Sequence, residues 1–256
     1  MVRSEGVWCC GCLPIGDRQY CEGVRFGLRH VVAAITLLAV FAYGFALGKW
    51  RVFPNDVVAG LAGASDEPVI RAETTQFDYF APKVDVVFVG DSITAAGNWH
   101  DMYPSVSIAN RGVGSDNLAD IERRLDDVVA VEADRIFVMA GINDVEDQEP
   151  FGEIVTTYED VLSVLTATGA RVYLQSTLEC TVSLCGDMLA SVRELNERLE
   201  AVAAADVNID FVDINAGLSD GDGLRAAFTT DGIHLNPDGY VAWQAILAPY
   251  VEDWAR

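Results

Sequence analysis

Histidine is scarce in this chain of 256 residues: there are three, at positions 30, 100 and 234. A serine nucleophile needs a base to take its proton, and imidazole is the usual one. His30 abuts a long apolar segment, and His100 lies in the turn after an apolar run. That leaves His234, within Thr230-Asp231-Gly232-Ile233-His234-Leu235-Asn236. Asp231, three residues earlier, could hold the imidazole in the tautomer a general base requires. The matching serine is sought in Gly90-Asp91-Ser92-Ile93-Thr94, just past an apolar run and before a helical stretch. A hydroxyl there would stand at a sheet edge, beside helix-terminal N–H groups that can face a developing oxyanion. Taken singly, Ser92 reads better as a helix cap and His234 as a loop residue. The Gly-x-Ser-x-Gly elbow of α/β-hydrolases is absent, because position 94 is Thr.

Two further segments could stabilise an oxyanion. Gly141-Ile142-Asn143-Asp144 places an amide at the end of an apolar run, and one such N–H donor is typically worth about 3 kcal/mol. Asn110-Arg111-Gly112-Val113-Gly114-Ser115-Asp116-Asn117 resembles a dinucleotide fingerprint, but its sixth position is Asn117 instead of Gly and it follows a second strand. The alternative is a tight turn whose backbone N–H groups complete an oxyanion hole. Asp220-Gly221-Asp222-Gly223 lacks the later ligand positions of a calcium loop and reads as a solvated turn.

These segments need a scaffold, and the apolar pattern supplies one. Val84–Gly90, Ser105–Asn110, Arg135–Gly141, Arg171–Ser176 and Ile209–Ile214 read as strands, the first of them a continuous apolar run suited to burial on both faces. Amphipathic stretches lie between and after them, at Leu118–Val131, Phe151–Thr168, Met188–Ala204 and Pro237–Trp254. Asp116 or Asn117 is a suitable cap for the first, and Pro237 suits the first turn of the last. Five strands alternating with helices predict a parallel α/β sheet covered on both faces, with its chemistry at the carboxyl ends of the strands.

Gly90–Thr94, Asn110–Asp116, Gly141–Asp144 and Asp231–His234 together resemble, in order, the four blocks of the SGNH (GDSL-type) serine esterases, over about residues 77–256. The resemblance implies a flavodoxin-like fold with five strands in the order 2-1-3-4-5 and an ester hydrolase that uses neither metal nor cofactor. It implies Ser92 as nucleophile, His234 and Asp231 as base and orienter, and an oxyanion hole from Ser92, Asn143 and the backbone at Gly114 or Ser115. One departure stands out: many members have Gly directly before the Asp of the second block, where this chain has Ser115. Trp99, close behind the nucleophile, is shared with members that deacetylate sugars and with lysophospholipase-like ones.

Ahead of this domain lies a different kind of sequence. Val31–Gly48 carries no charge, and eighteen residues at about 1.5 Å rise reach roughly 27 Å, near the hydrocarbon thickness of a bilayer. Four arginines precede it (Arg3, Arg18, Arg25, Arg29), whereas Lys49 and Arg51 follow, which by the positive-inside rule places the N-terminus in the cytoplasm. The expected organisation is a cytoplasmic leader (1–30), a transmembrane signal anchor (31–48), a stalk (49–76) and an outward-facing catalytic domain (77–256). A cleavable signal is the rival, its nearest small-x-small site being Ala62-Gly63-Ala64, well beyond the apolar run. In the leader Cys9, Cys10, Cys12 and Cys21 suit either a zinc site or palmitoylation weakly, and a start further downstream, near Val24, would remove them. Cys180 and Cys185 are expected to form a local disulfide in an oxidising compartment.

Charge narrows the partners. Acids outnumber bases 39 to 17, a net charge of -22, and this repels phosphate backbones and so excludes general nucleic-acid binding. The chain has two lysines, Lys49 and Lys83, so its dense carboxylates fit either a salt-adapted protein or an ordinary acidic secreted domain. An acidic face beside anionic lipid disfavours interfacial lipid catalysis. The expected substrate is therefore a short-acyl ester, such as an O-acetylated carbohydrate. The alternatives are a lysophospholipase- or lipase-like esterase and a non-catalytic carbohydrate-binding module on the same fold.

Overall fold

The fold is that of a computed structural model, which describes residues 76, 77 and 79–252. These lie in a compact unit spanning residues 70–256. The expected leader, the apolar segment Val31–Gly48 and nearly all of the stalk lie outside the described residues. Among the described residues no helix is long and apolar enough to cross a membrane.

Five strands make one parallel sheet: β1 (Val86–Gly90), β2 (Ile108–Gly112), β3 (Arg135–Met139), β4 (Arg171–Gln175) and β5 (Ile209–Val212), in the order β2-β1-β3-β4-β5. That is the expected order. Every residue of β1 and β3 is buried, the burial on both faces that their apolar runs require. Consecutive strands β1 and β2 lie side by side, but the chain then crosses back to place β3 on the other flank of β1. The strand order therefore reverses at β1, and a crevice opens outside the carboxyl ends of β1 and its neighbours.

Among the described residues ten α-helices connect and cover the strands: α1 (Ser92–Ala95), α2 (Trp99–Met102), α3 (Leu118–Arg123), α4 (Leu125–Val129), α5 (Ile142–Glu146), α6 (Phe151–Ala167), α7 (Val182–Cys185), α8 (Met188–Ala204), α9 (Asn215–Leu218) and α10 (Pro237–Glu252). The three long ones bury regular apolar stripes, for example Leu189, Val192, Leu195 and Leu199 of α8. A short hairpin, β6 (Ser219–Asp220) and β7 (Gly223–Leu224), carries the Asp220–Gly223 turn, which the Asp222 N–H closes on the Asp220 carboxylate at 2.9 Å.

Two features depart from the sequence pattern. β2 begins at Ile108 and runs through Arg111 and Gly112, where a turn was expected after Asn110. At its entry the Asp85 carboxylate accepts from both the N–H and the hydroxyl of Ser107, ending the irregular stretch there. Arg111 tolerates burial at the far end because its guanidinium donates to the carbonyls of Phe80 and Asp127 and lies over the Phe77 ring. The single helix expected over Leu118–Val131 is two helices, divided at Arg124. Asn117 does cap α3, in a capping box with Asp120. Trp99, close behind Ser92 in sequence, belongs to the core: it is 1% exposed, its ring stacks on Phe88 at 3.9 Å, and its indole N–H donates to the Thr94 carbonyl.

Candidate active site

Ser92 is the first residue of α1, immediately after β1. Asp91, the N-cap, accepts from the Ile93 N–H at 2.9 Å and so fixes the turn that presents the serine. α1 lies directly against β2: a Cβ on Gly112 would run into the Ala95 backbone, so that approach requires glycine. Asn110 anchors the end of the same helix, its amide donating to the carbonyls of Thr94, Ala95 and Gly97 while its oxygen accepts from the Gly112 N–H. The Tyr240 hydroxyl, from α10, donates to the Ile93 carbonyl at 2.7 Å. The serine is thus held by β1, β2 and α10 together.

His234 and Asp231 reach it from the loop before α10. Ser92 Oγ lies 3.0 Å from His234 Nε2, and His234 Nδ1 lies 2.8 Å from Asp231 Oδ2. With Nδ1–H donating its hydrogen bond to the carboxylate, Nε2 is left as acceptor for the serine O–H. The other carboxylate oxygen accepts from the backbone N–H groups of Ile233 and His234 at 3.0 and 2.8 Å. Burial works against the Asp231 charge, but these two N–H groups and the imidazole outweigh it and hold its carboxyl down at about 2. Asp231 therefore stays ionised wherever His234 is to act. The loop itself is tied by Thr229, whose hydroxyl donates to the His234 carbonyl at 2.7 Å.

Asn143 sits on the other side of β1, one residue inside α5 instead of at a strand end. Just past β3 the Ala140 carbonyl accepts the hydroxyls of Tyr158 and Thr177 at 2.8 and 2.6 Å. The chain then turns at Gly141, with φ of 100° and with Leu195, Thr177 and Tyr158 crowding the space a side chain would need. One Asn143 amide hydrogen goes to the Asp116 carbonyl at 2.7 Å, so the ring of the site closes through the β2–α3 loop. In that loop Gly114 and Ser115 are exposed, and Ser115 has a left-handed φ of 62°.

Cys180 and Cys185 are disulfide-bonded, and the loop they close touches the histidine loop: the Thr181 N–H donates to the Gly232 carbonyl at 2.8 Å. Between them runs a cleft of about 390 Å³ lined by Thr181, Ser183, Leu184, Thr229, Thr230 and Asp231. Among the described residues no group of three or more His, Cys, Asp or Glu is placed to hold a metal ion. His100 lies on the exposed short helix α2.

Sequence reasoning missed three site-forming groups. Asp91 and Asp144 are fully buried carboxylates, each with one oxygen that has no hydrogen-bond partner. Burial raises the Asp91 carboxyl to about 7 and that of Asp144 to about 6. Arg124 is the third, drawn inward to Asp116 at 2.7 Å. An Asp beside a serine, or an Arg in an amphipathic stretch, gives no spacing signal of burial.

Comparison with known proteins bears on the fold and the family. Solved structures with the same fold include a GDSL-like lipase from Bacteroides thetaiotaomicron, 24% identical with a TM-score of 0.62, the match covering 70% of this chain and 95% of that one. An acetyl xylan esterase is 22% identical with a TM-score of 0.55, over 64% and 98% of the two chains. A catalytic mutant of an acetylxylan esterase from Geobacillus stearothermophilus is 18% identical with a TM-score of 0.58, over 68% and 96%. No curated protein sequence matches. The model of the GDSL-like lipase/acylhydrolase family matches residues 88–242, a span that takes in Ser92, the β2–α3 loop, Asn143, Asp231 and His234. The chain thus belongs to the GDSL-like lipase/acylhydrolase family and is a carboxylic ester hydrolase.

Proposed function

We propose that Ser92 is the nucleophile, His234 its general base and Asp231 the group that orients the base, in the hydrolysis of short-acyl esters of carbohydrates outside the cytoplasm. The observation that carries this reading is the continuous chain Ser92 Oγ, His234 Nε2, His234 Nδ1, Asp231 Oδ2, with contacts of 3.0 and 2.8 Å. Ser92 Oγ attacks the ester carbonyl as its proton passes to His234, which then returns it to the leaving alcohol. Water, deprotonated in turn by His234, releases the acid and restores the serine. The N–H of Ser92, the backbone at Gly114–Ser115 and the Asn143 amide hold the oxyanion in both halves.

Three features support a carbohydrate ester. Two of the structural neighbours are named as acetyl xylan esterases. The cleft beside Asp231 is rich in hydroxyls. A net charge of -22 opposes work on anionic lipid surfaces. A longer acyl chain is the second reading, favoured by Val182 and Leu184, which α7 exposes at 47% and 53% on and beside that cleft. An ester panel separates them. Acetylated xylooligosaccharides and aryl acetates should give kcat/KM at least about tenfold above that for aryl octanoates, roughly one discriminating contact of 1–3 kcal/mol. A preference for octanoate would overturn the short-acyl reading.

The location proposed is a single membrane helix at Val31–Gly48 with the catalytic domain outside. The Cys180–Cys185 disulfide supports it, because such bonds persist in oxidising compartments. The full-length protein should sediment with membranes without being shortened. Thiol labelling of denatured protein without reductant should reach the leader cysteines and miss Cys180 and Cys185. A shortened soluble form would make the segment a cleaved signal, and free thiols at 180 and 185 would place the domain in the cytoplasm.

A further inference from the structure

The loop from Val113 to Asn117 is fixed at both ends to one carbonyl, that of Gly90, the last residue of β1 before Asp91 and Ser92. At its start the Val113 N–H donates to Gly90 O at 3.0 Å. At its far end the Asp116 carboxylate accepts from Arg124 Nε at 2.7 Å, while Nη2 of the same guanidinium donates to Gly90 O at 3.2 Å. Between these anchors stands Ser115 in its left-handed conformation, in which Cβ crowds the following carbonyl and which persists only where the surroundings impose it. The side chains of Arg124 and Asp116 are 8% and 4% exposed. A buried ion pair is by itself a weak statement about stability, since desolvation offsets its attraction. This one spans two functional segments, and the planar fork of an arginine fixes the distance between them as a lysine ammonium does not.

We propose that Arg124 is a positioning residue for the oxyanion hole: by clamping Asp116 to the end of β1 it holds Ser115 left-handed and sets the backbone donors at 114–115 against Ser92. The same clamp places the Asp116 carbonyl that orients the Asn143 amide. The division between α3 and α4 falls at Arg124 itself, where the side chain turns inward. The inference deepens the proposed mechanism and rests on its assignment of the oxyanion donors.

A double-mutant cycle between Arg124→Lys and Ser115→Gly tests it. Arg124→Lys keeps the charge and loses the fork; kcat should fall about ten- to hundredfold with KM within about twofold, the signature of a donor misplaced in the transition state. Glycine enters the left-handed region without penalty, so in the Ser115→Gly background the same substitution should cost at least about threefold less in kcat. A loss of purely structural origin would not be eased by glycine at that one position. An equal factor in both backgrounds, or a change confined to KM, overturns the proposal. Should Arg124→Lys not be recovered folded, Arg124→Gln combined with Asp116→Asn removes both charges together and is judged by the same comparison. Failure of the underlying mechanism would appear separately, as turnover by Ser92→Ala.

Discussion

Ser92→Ala is expected to abolish ester hydrolysis, with kcat lower by about 10⁴- to 10⁶-fold and KM little changed. Neither the backbone donors at 114–115 nor Asn143 is touched by the substitution, so binding survives while the attacking oxygen is lost. His234→Ala removes the ring placed to take that proton, 3.0 Å from Oγ, and should cost a similar factor. Because nucleophile and base act as a unit, the double variant should be little slower than either single one. Additive losses would mean that the two residues work independently, and wild-type rates in Ser92→Ala would refute the mechanism. Asp231→Asn is a milder case in that its geometry can be retained. It should nonetheless lose about 10⁴-fold in kcat, because an amide no longer fixes the Nδ1–H tautomer. Asp231, held down at about 2 by the N–H groups of Ile233 and His234 and by the imidazole, stays ionised above that value and so keeps its acceptor for Nδ1–H.

The legibility of this protein in its sequence follows from where its interactions are local. β1 is readable because burial on both faces leaves an unbroken apolar run, and β3 because the same burial leaves Ile136–Met139 apolar behind a single arginine. The proposed catalytic residues are readable because the turn that presents each one is built from its immediate neighbours: Asp91 caps the helix that Ser92 begins, and Asp231 binds the N–H groups two and three residues on. Where partners lie far along the chain, the pattern misleads. Arg111 reads as the polar residue of a turn, yet Phe80, 31 positions away, supplies a carbonyl that allows it into the sheet. Trp99 follows the nucleophile closely in sequence, but Phe88, Trp243 and the Thr94 carbonyl make it part of the core. The division of the predicted helix at Arg124 was equally hidden, since its cause is an acceptor on β1, 34 residues earlier.

The buried carboxylates carry the second large effect, on stability and not on rate. Asp91 is raised from 3.8 to about 7 and Asp144 from 3.8 to about 6, burial being the first cause in both. Between pH 4 and 7 the folded protein then holds protons that the unfolded chain has released. Stability is therefore fully present below the unfolded value and lost as pH rises through the folded one. At about 1.4 kcal/mol per unit, Asp91 alone sets an upper bound of roughly 4 kcal/mol between pH 4 and pH 8, reduced by whatever water reaches the site. Asp231 and Asp85 act in the opposite sense, because partners lower their carboxyls; their contribution is present above the unfolded value and disappears only as pH falls further, for Asp231 toward about 2. The thermal midpoint of the catalytic domain should accordingly be highest near pH 4–5 and decline toward pH 8. Mutual repulsion among the 39 acidic residues pushes the same way, so the wild-type curve alone does not identify its source. Asp91→Asn does. An amide keeps the acceptor for the Ile93 N–H and has no charge to desolvate, whereas the surface charge of the protein is almost unaltered. The variant should match or fall slightly below the wild type at pH 4–5, exceed it by several degrees at pH 8, and show a visibly flatter decline between. A parallel decline in the two proteins would show that Asp91 is not the group holding the proton, and would return the effect to general charge repulsion.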